Sequence, residues 1–158
     1  MNTFLNKLKR ENKLQLVEPS NEISSSYQRK ADNCLKSAKI LARENLNENS
    51  ITEAYYSMYN ISLSLFFKCG IKCENHSAAI LLLKDIFSLT KLSNDLAEAK
   101  KERIDKQYYT DFRITKKEVE QGILNAEKFN GDLKAFISEL KKSDIDIYRN
   151  KFEELKKW

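Results

Sequence analysis

The sequence predicts an all-α protein, an up-and-down bundle of about five core helices with additional helices at its N- and C-termini. Three observations carry this reading. The 158 residues include only 3 Gly and 1 Pro, too few turn-formers for a many-stranded β fold. Apolar residues recur every three to four positions along most of the chain, the period of a helix face. One stretch, Ser50 to Gly70, is apolar around so much of its circumference that only burial by neighbours on several sides accounts for it. A chain of this length buries roughly 68–70% of its unfolded surface and needs no disulfide or metal to hold a core. The expected organisation is an N-terminal helix or arm with its linker over residues 1–21, a helical bundle over 22–142 and a C-terminal helix over 143–158.

Residues 1–18 place Phe4, Leu5, Leu8, Leu14 and Leu16 among charges and end at Pro19, which reads as a short amphipathic helix or a docking arm. Pro19, Ser20 and Asn21 form the one clear linker. From Ile23 to about Leu46, the residues Tyr27, Ala31, Cys34, Leu35, Ala38, Leu41 and Ala42 draw one apolar face of a long amphipathic helix. The Asn-rich turn Asn45 to Asn49 then sends the chain back antiparallel.

In the central helix, Ser50 with Glu53 three residues on reads as a capping box, and Gly70 is placed to adopt the left-handed conformation that stops a helix. Its polar residues Glu53, Ser57, Asn60, Ser64 and Lys68 fall on one narrow stripe, with Tyr55, Met58 and Leu65 to one side and Tyr56, Tyr59 and Phe66 to the other. A Ser57→Ala change is therefore expected to cost much less than Leu65→Ala or Phe66→Ala.

Ile71 to Glu74 read as a connection, after which Asn75 or Ser77 caps a helix that ends near Ser88. In the next helix, from about Leu92 to Tyr109, Leu92, Leu96, Ala99 and Arg103 share one stripe, so a guanidinium sits where apolar side chains point inward. Such an Arg needs a partner: a carboxylate such as Glu53, water reached by its head over a core-lying stem, or a ligand. Thr115 with Glu118 forms a second capping box and opens a helix along Val119, Ile123, Ala126, Phe129, Leu133, Ile137 and Leu140. Ser143 or Asp144 caps a last helix with Ile145, Tyr148, Phe152 and Leu155 on one side.

The net charge is +5, from 28 Lys and Arg against 23 Asp and Glu. That balance would suit a nucleic-acid partner, but in a chain rich in Lys, Asn, Ile and Ser it is better explained by charges spread over solvated helix faces. No apolar run approaches a membrane span and no secretion signal is evident, so the expectation is a cytoplasmic protein without membrane contact. Cys34, Cys69 and Cys73 are an odd count of reduced thiols. Cys69, Cys73 and His76 with Cys34 offer four potential zinc ligands, but their spacing falls outside the common zinc patterns, and packing on apolar faces explains Cys34 and Cys69; no metal or cofactor is expected. There is no phosphate-binding glycine loop, and the single histidine, His76, reads as a polar residue of the turn before a helix.

The run AYYSMYNISLSLFFKCGIKCENHSAAI, preceded by ADNCLKSAKILARE and followed by ERIDKQYYTDFRITKKEVEQGILNAEKFNGDLKAFI, resembles the HEPN domain over about residues 22–140. The resemblance implies a bundle of four or five helices, a homodimer, and a nucleotidyltransferase partner in a toxin–antitoxin type of module. Many members of that family are metal-independent ribonucleases with an R-x4-6-H motif. Arg103 aligns with the motif arginine, but positions 104–110 hold no histidine, and Tyr108 stands at the shortest motif spacing. A phenol titrates near 10, about 3 units above a well-poised general base. The resemblance therefore favours a non-catalytic binding protein for nucleotide, RNA or a nucleotidyltransferase, with Arg103, Lys100, Lys101 and Lys106 as its ligand contacts. The alternative is a ribonuclease using Arg103 with Asp105 and Tyr108.

Overall fold

The computed structural model describes residues 3–108 and 113–155, without the side chains of residues 105–108. Among these residues the chain forms seven helices and one two-stranded sheet. In order they are α1 (Thr3–Arg10), β1 (Leu14–Leu16), α2 (Asn21–Arg43), α3 (Asn47–Lys68), β2 (Ile71–Cys73), α4 (His76–Asp85), α5 (Thr90–Tyr108), α6 (Lys116–Ser138) and α7 (Lys142–Glu154). Helices α2 to α6 make the expected bundle, with α3 packed against α2, α4, α5 and α6. No helix among the described residues is long and apolar enough to cross a membrane.

The core is centred on α3. Tyr55, Ile61, Leu65 and Phe66 are almost wholly enclosed, together with Leu82 and Leu83 of α4, Leu96 of α5 and Phe129 and Leu133 of α6. The same cluster takes in Leu5 and Leu8 of α1 and Phe152 of α7, so both ends of the chain pack onto the bundle.

The N-terminal segment is a short helix, as one of the two expected forms, followed by a strand that was not expected. Asn12 takes a φ of 57°, which ends α1, and Leu14 to Leu16 then pair antiparallel with Ile71 to Cys73. Leu14 points into the core from this strand. Gly70, at φ 70°, is the turn between α3 and β2, as its position predicted.

The start and the stripe of α3 also differ. The helix begins three residues before Ser50, so Ser50 is no cap; its hydroxyl donates to the Ala38 carbonyl at 2.7 Å. The polar stripe is the seam with α2. Ser57 donates to the Ala31 carbonyl at 2.7 Å, Ser64 donates to the Ser24 carbonyl at 2.8 Å, and Ser50, Ser57 and Ser64 are completely buried. Small hydroxyl residues let the two helices approach closely, and each satisfies itself on a carbonyl of the neighbour. Asn130 of α6 donates to Ser57 Oγ at 2.7 Å and ties a third helix to the same seam. Ser57 is thus a buried linkage of three helices and not the inexpensive position expected from its stripe.

Two of the remaining caps are as expected and the third is displaced, because α7 begins at Lys142, before Ser143 and Asp144. The Asn75 side chain accepts from the Ala78 amide, and Thr115 accepts from the Glu118 amide. At the start of α7 it is Asp144 that accepts from the Lys141 amide.

Candidate functional site

Arg103 lies one helical turn beyond Ala99 on the inward stripe of α5, and its half-buried side chain meets two tyrosines of α3. The guanidinium carbon is 5.4 Å from the centre of the Tyr55 ring and 5.0 Å from that of Tyr56. Contacts of this kind are attractive but leave the N–H donors unfilled. The Arg103 Nε is buried and has no hydrogen-bond partner. Glu53, the carboxylate expected as an alternative partner, instead lies beside Cys34, whose thiol pKa is raised by burial and then by the Glu53 charge. A buried guanidinium N–H without an acceptor is costly, and an anionic ligand would satisfy it.

The fold brings the single histidine to the same two tyrosines. His76 opens α4, held there by the Asn75 cap, and its Nδ1 lies 2.6 Å from the Tyr55 hydroxyl. Its ring stacks on Tyr59 with centroids 3.9 Å apart and planes 8° apart, and meets Tyr56 edge-on at 6.0 Å. Three tyrosines at the spacing Tyr55, Tyr56 and Tyr59 therefore make a cradle for an imidazole, with a guanidinium against its wall.

Lys100, a turn before Arg103, donates to Ser77 Oγ at 2.7 Å and so belongs to this face. Lys101 is exposed. Asp105, Lys106 and Tyr108 have side chains outside the described residues. Of the residues singled out on α5, the structure gathers Arg103 and Lys100 with His76.

The electrostatics follow from that gathering. Burial, together with the positive charges of Arg103 and Lys100, holds the His76 pKa below its ordinary value. Both influences favour the neutral imidazole over the imidazolium. Burial pushes the Tyr55 phenol upward, so that hydroxyl keeps its proton. Burial also pushes the Cys73 thiol up to about 11, and Cys73 donates to the Asn75 carbonyl. It is an inert thiol of the turn. Among the described residues no group of three or more His, Cys, Asp or Glu side chains is arranged to hold a metal ion.

The proximity of His76 to Arg103 was not visible in the sequence, where 27 positions separate them. The signal that bore on it was the Tyr55–Tyr56 pair, whose rings serve both residues. The comparison with curated proteins returns no match. Residues 24–136, which contain the cradle, Lys100 and Arg103, match the HEPN domain. With more than half of its length matched, the chain belongs to the HEPN domain family.

Proposed function

We propose that this HEPN protein binds a nucleotide or RNA, with the ligand's phosphate held by Arg103 and Lys100. The observation that supports this most directly is the buried Arg103 Nε without an acceptor, on a guanidinium already oriented by Tyr55 and Tyr56. A planar donor fixed in advance matches a phosphate and loses little freedom on binding it. Lys101 is exposed on the same helix, and the overall charge of +5 favours approach of a polyanion.

Membership of the family supports a nucleotide- or RNA-related role; a homodimer and a nucleotidyltransferase partner encoded alongside are part of the same proposal. The test is direct titration of a fluorescent single-stranded RNA and of a labelled mononucleotide with the wild type and with Arg103→Ala. Saturable binding that disappears in a folded Arg103→Ala protein supports the reading. Undiminished binding by that variant places the ligand elsewhere.

A further inference from the structure

We propose that the cleft between α5 and α6 is a guanine subsite, so that the ligand held by Arg103 through its phosphate is a guanine nucleotide. The phosphate contact rests on the preceding reading, and the base contacts stand apart from it. Helices α5 and α6 both pack on α3 and leave between them a cavity of about 200 Å³. That is below the roughly 300–1,000 Å³ of sites for drug-sized ligands, so the space suits a single planar ring system. Its floor is apolar, made by Ile51, Ala54 and Met58 of α3 and Phe129 of α6. Gly122 of α6 also lines it, and a Cβ added there would meet no atom within 4 Å. A glycine inside a helix is less stable than an alanine, and no neighbouring atom requires this one, so the sequence leaves the space open at a cost to α6.

The two walls carry opposite chemistry. Along α5, Asp95, Glu98 and Glu102 present carboxylates, with Asp95 paired to Lys91 at 2.7 Å. Along α6 stand Lys128 and Asn125; the Asn125 oxygen already accepts from Gln121 Nε2 at 2.8 Å, which leaves its amide NH2 as the group to offer a ligand. One wall thus accepts hydrogen bonds and the other donates them. Guanine alone among the RNA bases matches both: its N1–H and N2 amino group are adjacent donors that fit one carboxylate, and its O6 and N7 are adjacent acceptors on another edge. Adenine and cytosine place a ring-nitrogen acceptor beside their amino group, and uracil flanks its single N–H with two carbonyls. Each would set lone pairs against a carboxylate.

The cleft and Arg103 meet at Tyr55, whose ring lines the cavity and has its centre 5.4 Å from the guanidinium carbon. Arg103 also follows Glu102 directly and stands one turn beyond Ala99, and both of these line the cavity. Three carboxylates disfavour a phosphate inside the cleft, which sets the direction of the ligand: base inward, phosphate at Arg103.

The test measures binding of GMP, AMP, CMP, UMP and guanosine to the full-length protein by calorimetry, beside fluorescent oligouridylates with and without one internal guanosine. GMP is expected to bind at least about 10-fold more tightly than the other three nucleotides, the scale of one bidentate base contact. Gly122→Leu fills the cleft and strengthens the helix, so it should keep or exceed the wild-type melting temperature while losing that preference. Glu98→Gln combined with Glu102→Gln, which replaces carboxylates by amides of the same shape, should bring GMP down to the level of AMP. Arg103→Ala should weaken GMP to the affinity of guanosine and leave guanosine itself unchanged. A preference for the guanosine-containing oligonucleotide as well assigns the subsite to RNA, and a preference confined to GMP assigns it to the free nucleotide. Equal, Arg103-dependent affinity for all four nucleotides, or a guanine preference that survives in both cleft variants, overturns the subsite and leaves the phosphate contact standing. A guanine preference with GMP affinity unchanged in Arg103→Ala overturns the phosphate contact and keeps the subsite, and binding of none of these ligands overturns both.

Discussion

The Arg149 guanidinium of α7 occupies the space a side chain on Gly70 would need. One of its nitrogens, Nη1, donates to the carbonyls of Val17 at 2.8 Å, Gly70 at 3.0 Å and Cys69 at 3.1 Å. A cation that gathers three carbonyls at the end of α3 offsets the negative end of that helix and joins the last helix to the β1–β2 ladder. A Cβ at residue 70 would overlap both this nitrogen and the Val17 carbonyl oxygen.

Gly70→Ala is therefore expected to be among the most damaging small substitutions in the chain. It meets a left-handed φ of 70° and a backbone oxygen that cannot withdraw without breaking the Val17 amide's bond to the Gly70 carbonyl. The strain of a non-glycine residue in that region alone is about 1–3 kcal/mol, and the overlap adds to it. Chemical denaturation should show a loss of at least that size. Adding Arg149→Ala to Gly70→Ala should cost less than the sum of the two single changes, because the clash with the guanidinium is relieved.

Gly70 was legible as a helix stop because its conformational need is local. Arg149 was not, because a cation on an amphipathic helix looks like solvated surface until its neighbours are known. The same limit applies to the serines of α3. Their period identified one stripe, but period alone does not say whether a stripe meets water or another helix. At the candidate site, Arg103 stood out as a charge on an apolar stripe. His76 did not, since pairing it with Arg103 depends on α4 and α5 both reaching the same face of α3.

Ser57 gives the sharpest test of the seam. Ser57→Ala leaves the Ala31 carbonyl and the Asn130 amide without their shared hydroxyl, in a place from which water is excluded. The expected loss is about 1–3 kcal/mol, closer to the ~2–5 kcal/mol of Leu65→Ala than the stripe pattern implied. The Asn130 Oδ1 is already buried without a partner. Ser57→Ala combined with Asn130→Leu should therefore recover part of the loss in urea unfolding. A surface-like effect of a few tenths of a kcal/mol would show that this seam is hydrated.

His76 should also make folding stability depend on pH. Its pKa is lowered in the folded protein by burial and by Arg103 and Lys100, with Tyr55, Tyr56 and Tyr59 packed around it as neutral rings. The unfolded chain, with an ordinary value near ~6.5, therefore takes up this proton first as the pH falls. Stability is lost progressively as pH drops from about 7 through the unfolded value toward the folded one, and this contribution levels off below it. Comparing wild type with His76→Gln at a series of pH values isolates the term from the carboxylates that both share. The difference should grow in favour of the variant as the solution is acidified, and a constant difference would contradict the lowered pKa.

Assembly can be tested at a single position. Ile104 follows Arg103 on α5 and is 37% exposed, an apolar side chain beside the candidate site. A homodimer through this face would cover it. Sedimentation at micromolar concentration should show a dimer for the wild type, and Ile104→Lys should shift it toward monomer without loss of helical content. A monomer at all concentrations removes the dimer from the proposed function.

Arg103 separates a binding role from a structural one. If its guanidinium holds a phosphate, Arg103→Ala should lose the charge-assisted bonds, of about 1.5–3 kcal/mol each, which is roughly a 10- to 100-fold fall in affinity or more. The bundle should stay folded, because among the described residues Arg103 forms no ion pair and its guanidinium lies over the rings of Tyr55 and Tyr56 with its Nε unbonded. Arg103→Lys should restore binding in part: the ammonium keeps the charge but loses the planar pair of donors and their fit against the two rings. Binding by the wild type should weaken as salt rises, and the slope should be shallower in Arg103→Ala by about one phosphate contact. The opposite pattern, in which Arg103→Ala unfolds while any folded fraction binds RNA at full affinity, would make Arg103 a packing residue whose buried Nε is simply tolerated.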